Sequence, residues 1–329
     1  MSPNERMRVG AIDIGSNSVR MLVAEFVARP DGTQETITIA RAGEPCRLAR
    51  GMERTGSVDT EMAERAATLA AEFARRARGL GAAHIVVGAT AALRHAANGA
   101  EVAESIAARS GLRVRILTGD DEARLVYRSV IGGLGARVRT QSCVVFDLGG
   151  GSTEVVSGVG DRPGRWTSLP FGAVSLTDRH LHSDPPNAEE IEALTAEVRI
   201  KVMHECAYMP ERSPVLAGVG GTVTVLASLD RGLTTYDPNQ LEGWQVSSAR
   251  LEDRIAEIVA ATHAERGSWP VMGEGRADIV VAGALVVREL ALRFPGPGLL
   301  CSTQGLRYGL ARMAADEVRS GDATSHKSL

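Results

Sequence analysis

Two stretches of this chain combine residue types that can do chemistry on phosphate: Asp13-Ile14-Gly15-Ser16-Asn17-Ser18 and Asp147-Leu148-Gly149-Gly150-Gly151-Ser152. Both read Asp, aliphatic, Gly, any, any, Ser. A tight turn of Gly and Ser leaves backbone N–H groups and hydroxyls to converge on anionic oxygens, and an Asp at a strand end can hold a hydrated cation. The second copy sets three glycines before Ser152, Thr153 and Glu154. That run costs chain entropy, which makes sense where something must approach the backbone closely. Taken alone, the first copy reads equally well as a hairpin turn whose Asp13 and Ser18 cap backbone groups.

Three further groups carry weaker signals. Gly218-Val219-Gly220-Gly221-Thr222 joins an apolar run to a helical pattern, so the helix start can receive an anion. It lacks the lysine of a P-loop and the spacing of a dinucleotide fingerprint. Thr90-Ala91-Ala92-Leu93-Arg94 ends in an arginine that can fork onto phosphate oxygens or sit as a solvated helix charge. Gly119-Asp120-Asp121-Glu122-Ala123-Arg124 places three carboxylates at a helix start, where the helix dipole alone is a sufficient reason for them. The seven histidines show no H-x-x-x-H or H-E-x-x-H pair, and no G-x-S-x-G elbow is present, which argues against a histidine metal centre and a serine hydrolase. Cys46, Cys143, Cys206 and Cys301 lie far apart, against a zinc site or a disulfide scaffold.

The elements that must position these groups follow from periodicity. Each Asp turn lies between two apolar runs and is expected as a hairpin. The spacing predicts strands over 8–14, 20–28 and 35–41 and a helix over 59–78, carried by Met62, Ala66, Leu69 and Phe73. A strand at 84–87, a helix at 99–108, a strand at 113–117 and a helix at 120–131 follow. The plan then restarts with strands over 142–148, 152–158 and 164–169, helices from Val174 and over 188–206, a strand at 215–217 and a helix after Thr222. Helical patterns at 247–262, 276–292 and 304–319 complete the core, with 230–243 and 265–274 as loops and a polar tail from residue 319. A repeat offset by 134 positions, Asp13 to Asp147, is the form expected of two homologous α/β domains facing one cleft.

Length and composition agree. At 329 residues the chain exceeds one ordinary core, and 44% apolar residues fit a folded globular protein. A net charge of −3 gives no basic field, so neither nucleic acid nor an anionic membrane is the expected partner. No apolar stretch approaches the roughly 20 residues of a membrane span, and Met1 to Arg6 lack a signal-peptide pattern, so a cytoplasmic location is expected.

At these residues the chain resembles the exopolyphosphatase and guanosine pentaphosphate phosphohydrolase (Ppx/GppA) family, within the superfamily of sugar kinases, heat-shock ATPases and actin. The resemblance runs through Ala11 to Arg20, Ala89 to Arg94, Gly119 to Arg124, Asp147 to Glu154, Leu169-Pro170-Phe171-Gly172-Ala173-Val174-Ser175, Gly220 to Thr222, Arg276 to Gly283 and Gly305-Leu306-Arg307. It implies two actin-like (ribonuclease H-like) α/β domains, each a mixed five-stranded sheet flanked by helices, with an interdomain cleft. The first would span 1–133, with helix 304–319 packing back on it, and the second 134–303, before a frayed tail at 320–329.

The same resemblance implies a hydrolase of phosphoanhydride bonds that removes the terminal phosphate of inorganic polyphosphate, with guanosine pentaphosphate as the alternative substrate. It further implies Mg²⁺, with Mn²⁺ as a substitute, and a homodimer. By motif, Glu122 is the catalytic base, Arg94 the arginine on substrate phosphate and Glu154 a helper. Asp147, with Asp13 through water, holds the metal. Substrate contacts fall on Gly15, Ser16, Asn17, Ser18, Arg20, Gly149, Gly150, Gly151, Ser152, Thr153, Gly220, Gly221 and Thr222. The chain departs from the family pattern at Asp121, where Glu is usual before the base, and at Tyr308, where Glu usually follows Gly-Leu-Arg. The helical HD-type domain of long members has no counterpart here, which favours short polyphosphates or a nucleotide. A phosphotransferase that passes the γ-phosphate of ATP to a small acceptor, and a non-catalytic sensor of guanosine tetraphosphate or pentaphosphate, are other uses of the same clamp.

Overall fold

The computed structural model describes residues 6–28, 34–211, 215–273 and 275–321; the expectations for residues 1–5 and for the tail from 322 lie outside these. The chain divides into two compact units, Met1–Thr118 with Leu306–Leu329, and Gly119–Gly305.

In the first unit, β1 (Arg6–Ile14), β2 (Ser18–Ala28), β3 (Gln34–Pro45), β4 (His84–Ala89) and β5 (Val114–Ile116) form a sheet in the order β3-β2-β1-β4-β5. The three-strand meander is antiparallel, while β4 and β5 add in parallel beside β1. The helices are α1 (Met52–Thr55), α2 (Thr60–Gly79), α3 (Ala91–His95) and α4 (Gly99–Ser110). The start of α2 is set by Asp59, whose side chain accepts from the Glu61 N–H, and its Ala66, Ala70, Phe73, Ala74 and Ala77 are buried. Small residues there let the helix lie close on Ile12, Ile14 and Val23.

The second unit opens with α5 (Gly119–Leu134) and builds its sheet from β6 (Ser142–Leu148), β7 (Thr153–Val159), β8 (Arg162–Leu169), β9 (Val215–Val219), β10 (Gln245–Ser247) and β11 (Gly298–Cys301). Their order, β10-β11-β9-β6-β7-β8, repeats the first sheet strand for strand and adds β10 at the edge. The expected five-stranded sheet therefore has six strands. β10 has three residues, of which only Val246 is buried, too few for an alternating pattern to declare itself. Around the sheet lie α6 (Ala173–His180), α7 (Ala188–Glu205), α8 (Gly221–Arg231), α9 (Pro238–Leu241), α10 (Ser248–Ala260), α11 (His263–Ser268) and α12 (Val280–Arg293). The expected loops 230–243 and 265–274 hold α9, capped by Asp237, and much of α11, set by a Thr262–Glu265 capping box. Finally α13 (Leu306–Ser320) returns to the first unit.

The division falls between Thr118 and Gly119, not at 133/134, because α5 packs on β6, β7 and β8. Its Ala123, Val126, Tyr127, Val130 and Ile131 are buried, and the Tyr127 hydroxyl donates to the Gly160 carbonyl. In the same way α13 packs on β1, β2 and β4. Each sheet is thus covered on one face by the helix that follows the other unit's last parallel strand. All four cysteines are free and buried, and among the described residues no helix is long and apolar enough to cross a membrane.

Candidate active site

In the first unit the predicted hairpin turn joins β1 to β2, closed by the Gly15 N–H on the Ser18 carbonyl at 3.0 Å. The segment after β3 then takes the turn's carbonyls: Ala49 donates to Ser16, and Cys46 and Arg47 both donate to Asn17, each at 2.9 Å. In a trans peptide the carbonyl and the next N–H point in opposite directions, so the N–H groups of Asn17 and Ser18 face away from that segment. Two arginines flank the turn. Arg20 stands directly across from Asp13 in the ladder and donates to the Ser18 hydroxyl at 3.1 Å. Arg94 lies in the last turn of α3, whose start is tied to β1 by the Thr90 N–H on the Ile14 carbonyl, and its guanidinium donates to the Leu117 carbonyl at 2.9 Å.

The second unit repeats this turn. The Gly149 N–H bonds the Ser152 carbonyl at 3.0 Å, and the first turn of α6 takes the carbonyls: Ala173 donates to Gly149, and Val174 and Ser175 to Gly150. The N–H groups of Gly150 and Gly151 therefore point away from α6. Gly172 packs against this loop with no room for a side chain: a Cβ there would lie 2.5 Å from the Gly149 oxygen and the Gly150 carbonyl carbon. The expected convergence of hydroxyls is only partial. Thr153 is buried and donates its hydroxyl to the Phe171 carbonyl at 2.9 Å. Thr222 is buried against Gly283, where a Cβ would sit 2.2 Å from its hydroxyl oxygen, so its side chain serves packing. Gly220, with φ 116°, turns β9 into α8 so tightly that a Cβ would meet the Leu148 carbonyl at 2.6 Å, which draws this turn up to the second loop. Arg276 lays its guanidinium over Gly221, whose added Cβ would be 3.2 Å from Nε.

What stands beside each loop differs. Across β6, β7 and β8 the register aligns Asp147, Glu154 and Ser168, so these side chains share one face of the sheet. Ser168 donates to Glu154 at 2.9 Å, and Glu154 is 1% exposed. The start of α5 lies on that same face, since a Cβ at Gly119 would touch Trp166 and Ser168 at 3.3 and 3.4 Å. One turn on, Glu122 is buried. The structure thus brings Glu122, Glu154 and Asp147 onto one face of the second unit, while Asp13, Arg20 and Arg94 belong to the first. Neighbouring motif residues are surface features: Asp120 pairs with Arg124 at 2.8 Å.

The carboxylates suit a hard cation. Asp13 is buried, its Oδ1 has no hydrogen-bond partner, and burial pushes its carboxyl above the usual range, against the smaller opposing pull of Arg20 and Arg307. Asp147 is partly exposed, with the backbone of Gly305 close to its Oδ2. Among the described residues no three His, Cys, Asp or Glu side chains are grouped around a metal position. Sequence reasoning passed over Arg276, Arg307, Ser168 and Gly172. The first two and Gly172 sit in recognisable motifs, but their contacts with Gly221, Asp13 and the second loop come from distant parts of the chain.

The family model described as the Ppx/GppA phosphatase family matches residues 26–316. Exopolyphosphatase 2 of Mycobacterium tuberculosis is 34% identical over 290 residues, which cover 86% of this chain and 90% of that protein. Exopolyphosphatase 1 of Mycobacterium bovis is 29% identical, covering 98% of this chain and 92% of its own length. The crystal structure of the Aquifex aeolicus Ppx/GppA family member superposes with a TM-score of 0.78 at 27% identity, covering 96% of this chain and 99% of that one. With the twin loops, the repeated sheet order and a family match over most of its length, the chain belongs to the Ppx/GppA phosphatase family.

Proposed function

We propose that this protein is an exopolyphosphatase that hydrolyses the terminal phosphoanhydride of inorganic polyphosphate. The observation that carries this reading is the recurrence in each unit of a turn with outward-facing N–H groups, together with a carboxylate row, Glu122, Glu154 and Asp147, on one face of the second unit. Phosphoryl transfer asks a protein mainly to position the group and stabilise charge. The N–H groups of Gly150 and Gly151, and of Asn17 and Ser18, bind phosphate oxygens, and Arg94 and Arg20 neutralise neighbouring phosphates. Glu122 orients the attacking water and accepts its proton as that water displaces the remaining polyphosphate, and Glu154, held by the Ser168 hydroxyl, is the helper carboxylate. Asp147 and Asp13 are the residues that would hold magnesium, which when bound supplies Lewis-acid neutralisation of the phosphoryl oxygens.

The test is phosphate release with Mg²⁺ from polyphosphates of graded length, guanosine pentaphosphate and ATP. Release from polyphosphate without an acceptor supports the reading. Release from guanosine pentaphosphate alone moves the assignment to the alternative substrate, and phosphate transfer only to an added acceptor makes the protein a phosphotransferase. Glu122→Gln should lower kcat about 10²-fold or more with KM nearly unchanged.

A further inference from the structure

Helix α7 is packed on one side and bare on the other. Its Leu194, Thr195, Val198 and Val202 are buried in the second unit. The opposite side carries Ala193, Ala196, Ile200 and Met203, all exposed, with Ile200 67% and Met203 57% accessible. Successive spacings of three, four and three residues make this the seam of a two-stranded coiled coil, the pattern by which one helix takes another along its length. Two large apolar side chains in that register form a helix-binding face left open in the single chain.

Size and charge along α7 say what covers it. The N-terminal half of the seam is small, Ala193 and Ala196, and the C-terminal half is large, Ile200 and Met203. A second α7 turned end for end, level with Val198, sets Ile200 opposite Ala196 and Met203 opposite Ala193, so that each bulky knob meets a shallow hole. The charges beside the seam reverse in the same way. On one edge Glu192 comes opposite Arg199, and on the other Glu197 comes opposite His204, each pair being made twice. A parallel pair would instead set Glu192 against Glu197 and Arg199 against His204, acid on acid and base on base. Two of these groups are held in place within the chain: Arg199 bonds Glu289 at 2.9 Å with its side chain still 60% exposed, and Glu197 meets His180 at 2.7 Å. Groups fixed in advance lose less freedom on association.

We propose that α7 is a self-association face, along which two copies of this chain pair antiparallel about a two-fold axis. A pattern that complements its own reverse is what a two-fold contact requires, since each copy presents the same patch to the other. The face belongs to the second unit, and the inference is independent of the reaction proposed above. Because the seam runs for only about three turns, the dimer should dissociate in the micromolar range.

Sedimentation equilibrium of the full chain from about 1 to about 200 µM tests it, with wild type expected to pass from monomer to dimer. Ile200→Glu/Met203→Glu should raise the dissociation constant at least a hundredfold. Ala196→Arg, which fills the hole at an exposed position, should act in the same direction. All three side chains are exposed, so far-UV circular dichroism of the variants should match wild type, and either variant that does so decides the matter. Orientation is read by cross-linking, since the four native cysteines are buried. Ala193→Cys and Met203→Cys proteins, mixed and mildly oxidised, should form a covalent dimer, whereas each alone should not, its two copies lying about 15 Å apart along the helices. Wild type that stays monomeric over the whole range overturns the proposal. So does a dimer that the folded variants leave intact, or cysteines that link only like with like.

Discussion

In the first hairpin Asp13 stands across the ladder from Arg20, with Arg307 adding positive charge; in the second, Asp147 stands across from Glu154, with Glu122 buried on the same face. The two turns close by the same hydrogen bond of the same length. Both lose their carbonyls to the segment after the third strand, a loop in one unit and the first turn of α6 in the other. The covering helices complete the contrast, since the first turn of α13 carries Arg307 and the first turn of α5 carries Glu122. The two units share the backbone device that aims N–H groups outward and differ in the charges set around it. On the proposed function, the first unit would hold an anion and the second would move a proton.

That division predicts different kinetic damage in the two halves. Glu122→Gln, with its loss of about 10²-fold or more, should fall on kcat. Arg20→Gln and Arg307→Gln should fall mainly on KM for polyphosphate, by about tenfold, the scale of a charge-assisted hydrogen bond. Steady-state kinetics on one substrate batch decides it. Arginine variants that lower kcat as much as Glu122→Gln, with KM unmoved, would dissolve the contrast between the halves.

Gly172→Ala tests whether the second loop depends on its close backing. The added methyl would meet the Gly149 and Gly150 peptides at 2.5 Å, and backbone atoms can yield only by moving the loop. A displacement near 1 Å can cost about 10²-fold where reacting groups are positioned, so kcat/KM should drop about tenfold to a hundredfold. The first loop is braced by an ordinary loop segment, and Arg47→Gly there should leave kcat within about twofold. Full activity in Gly172→Ala would show that the loop position tolerates more freedom than the packing implies.

How much of this was legible before the structure depends on range. Both hairpins are visible because alternation on either side of an Asp-x-Gly turn is a local signal. α1, α3, α9 and α11, of four to six residues, and β10 of three, are too short for any period to show. The boundary at Thr118 was hidden for a different reason: the apolar side of α5 says that the helix is covered, not which sheet covers it. Glu122 illustrates the same limit. Three carboxylates at a helix start look like dipole compensation until the register of Ser168, Glu154 and Asp147 puts one of them over a shared face. Conversely, Thr153 and Thr222 have the right type for phosphate contact, and only long-range packing reveals that the Thr153 hydroxyl bonds the Phe171 carbonyl and that the Thr222 side chain lies against Gly283.

The smallest expected effect concerns the acid of the first loop. Burial raises the folded-state pKa of Asp13 above the ordinary 3.8, outweighing Arg20 and Arg307. A raised carboxyl pKa means that the folded state binds its proton more tightly than the unfolded state. This group's contribution is therefore fully present below the unfolded pKa and is lost as pH rises through the folded one. Asp13→Asn removes that loss while keeping shape, so metal-free variant and wild type should be close in stability near pH 4 and diverge at neutral pH, the variant being more stable by on the order of 1 kcal/mol. Added magnesium should reverse the order, because a cation that binds only the folded state stabilises wild type more than a variant lacking one of its carboxylates. Thermal unfolding with and without Mg²⁺ at the two pH values reads both effects. A metal-free Asp13→Asn protein less stable than wild type at neutral pH would mean that Asp13 serves chiefly to bind Arg20 and Arg307 together, and the charge contrast between the two loops would then be architectural, with no part in holding a cation.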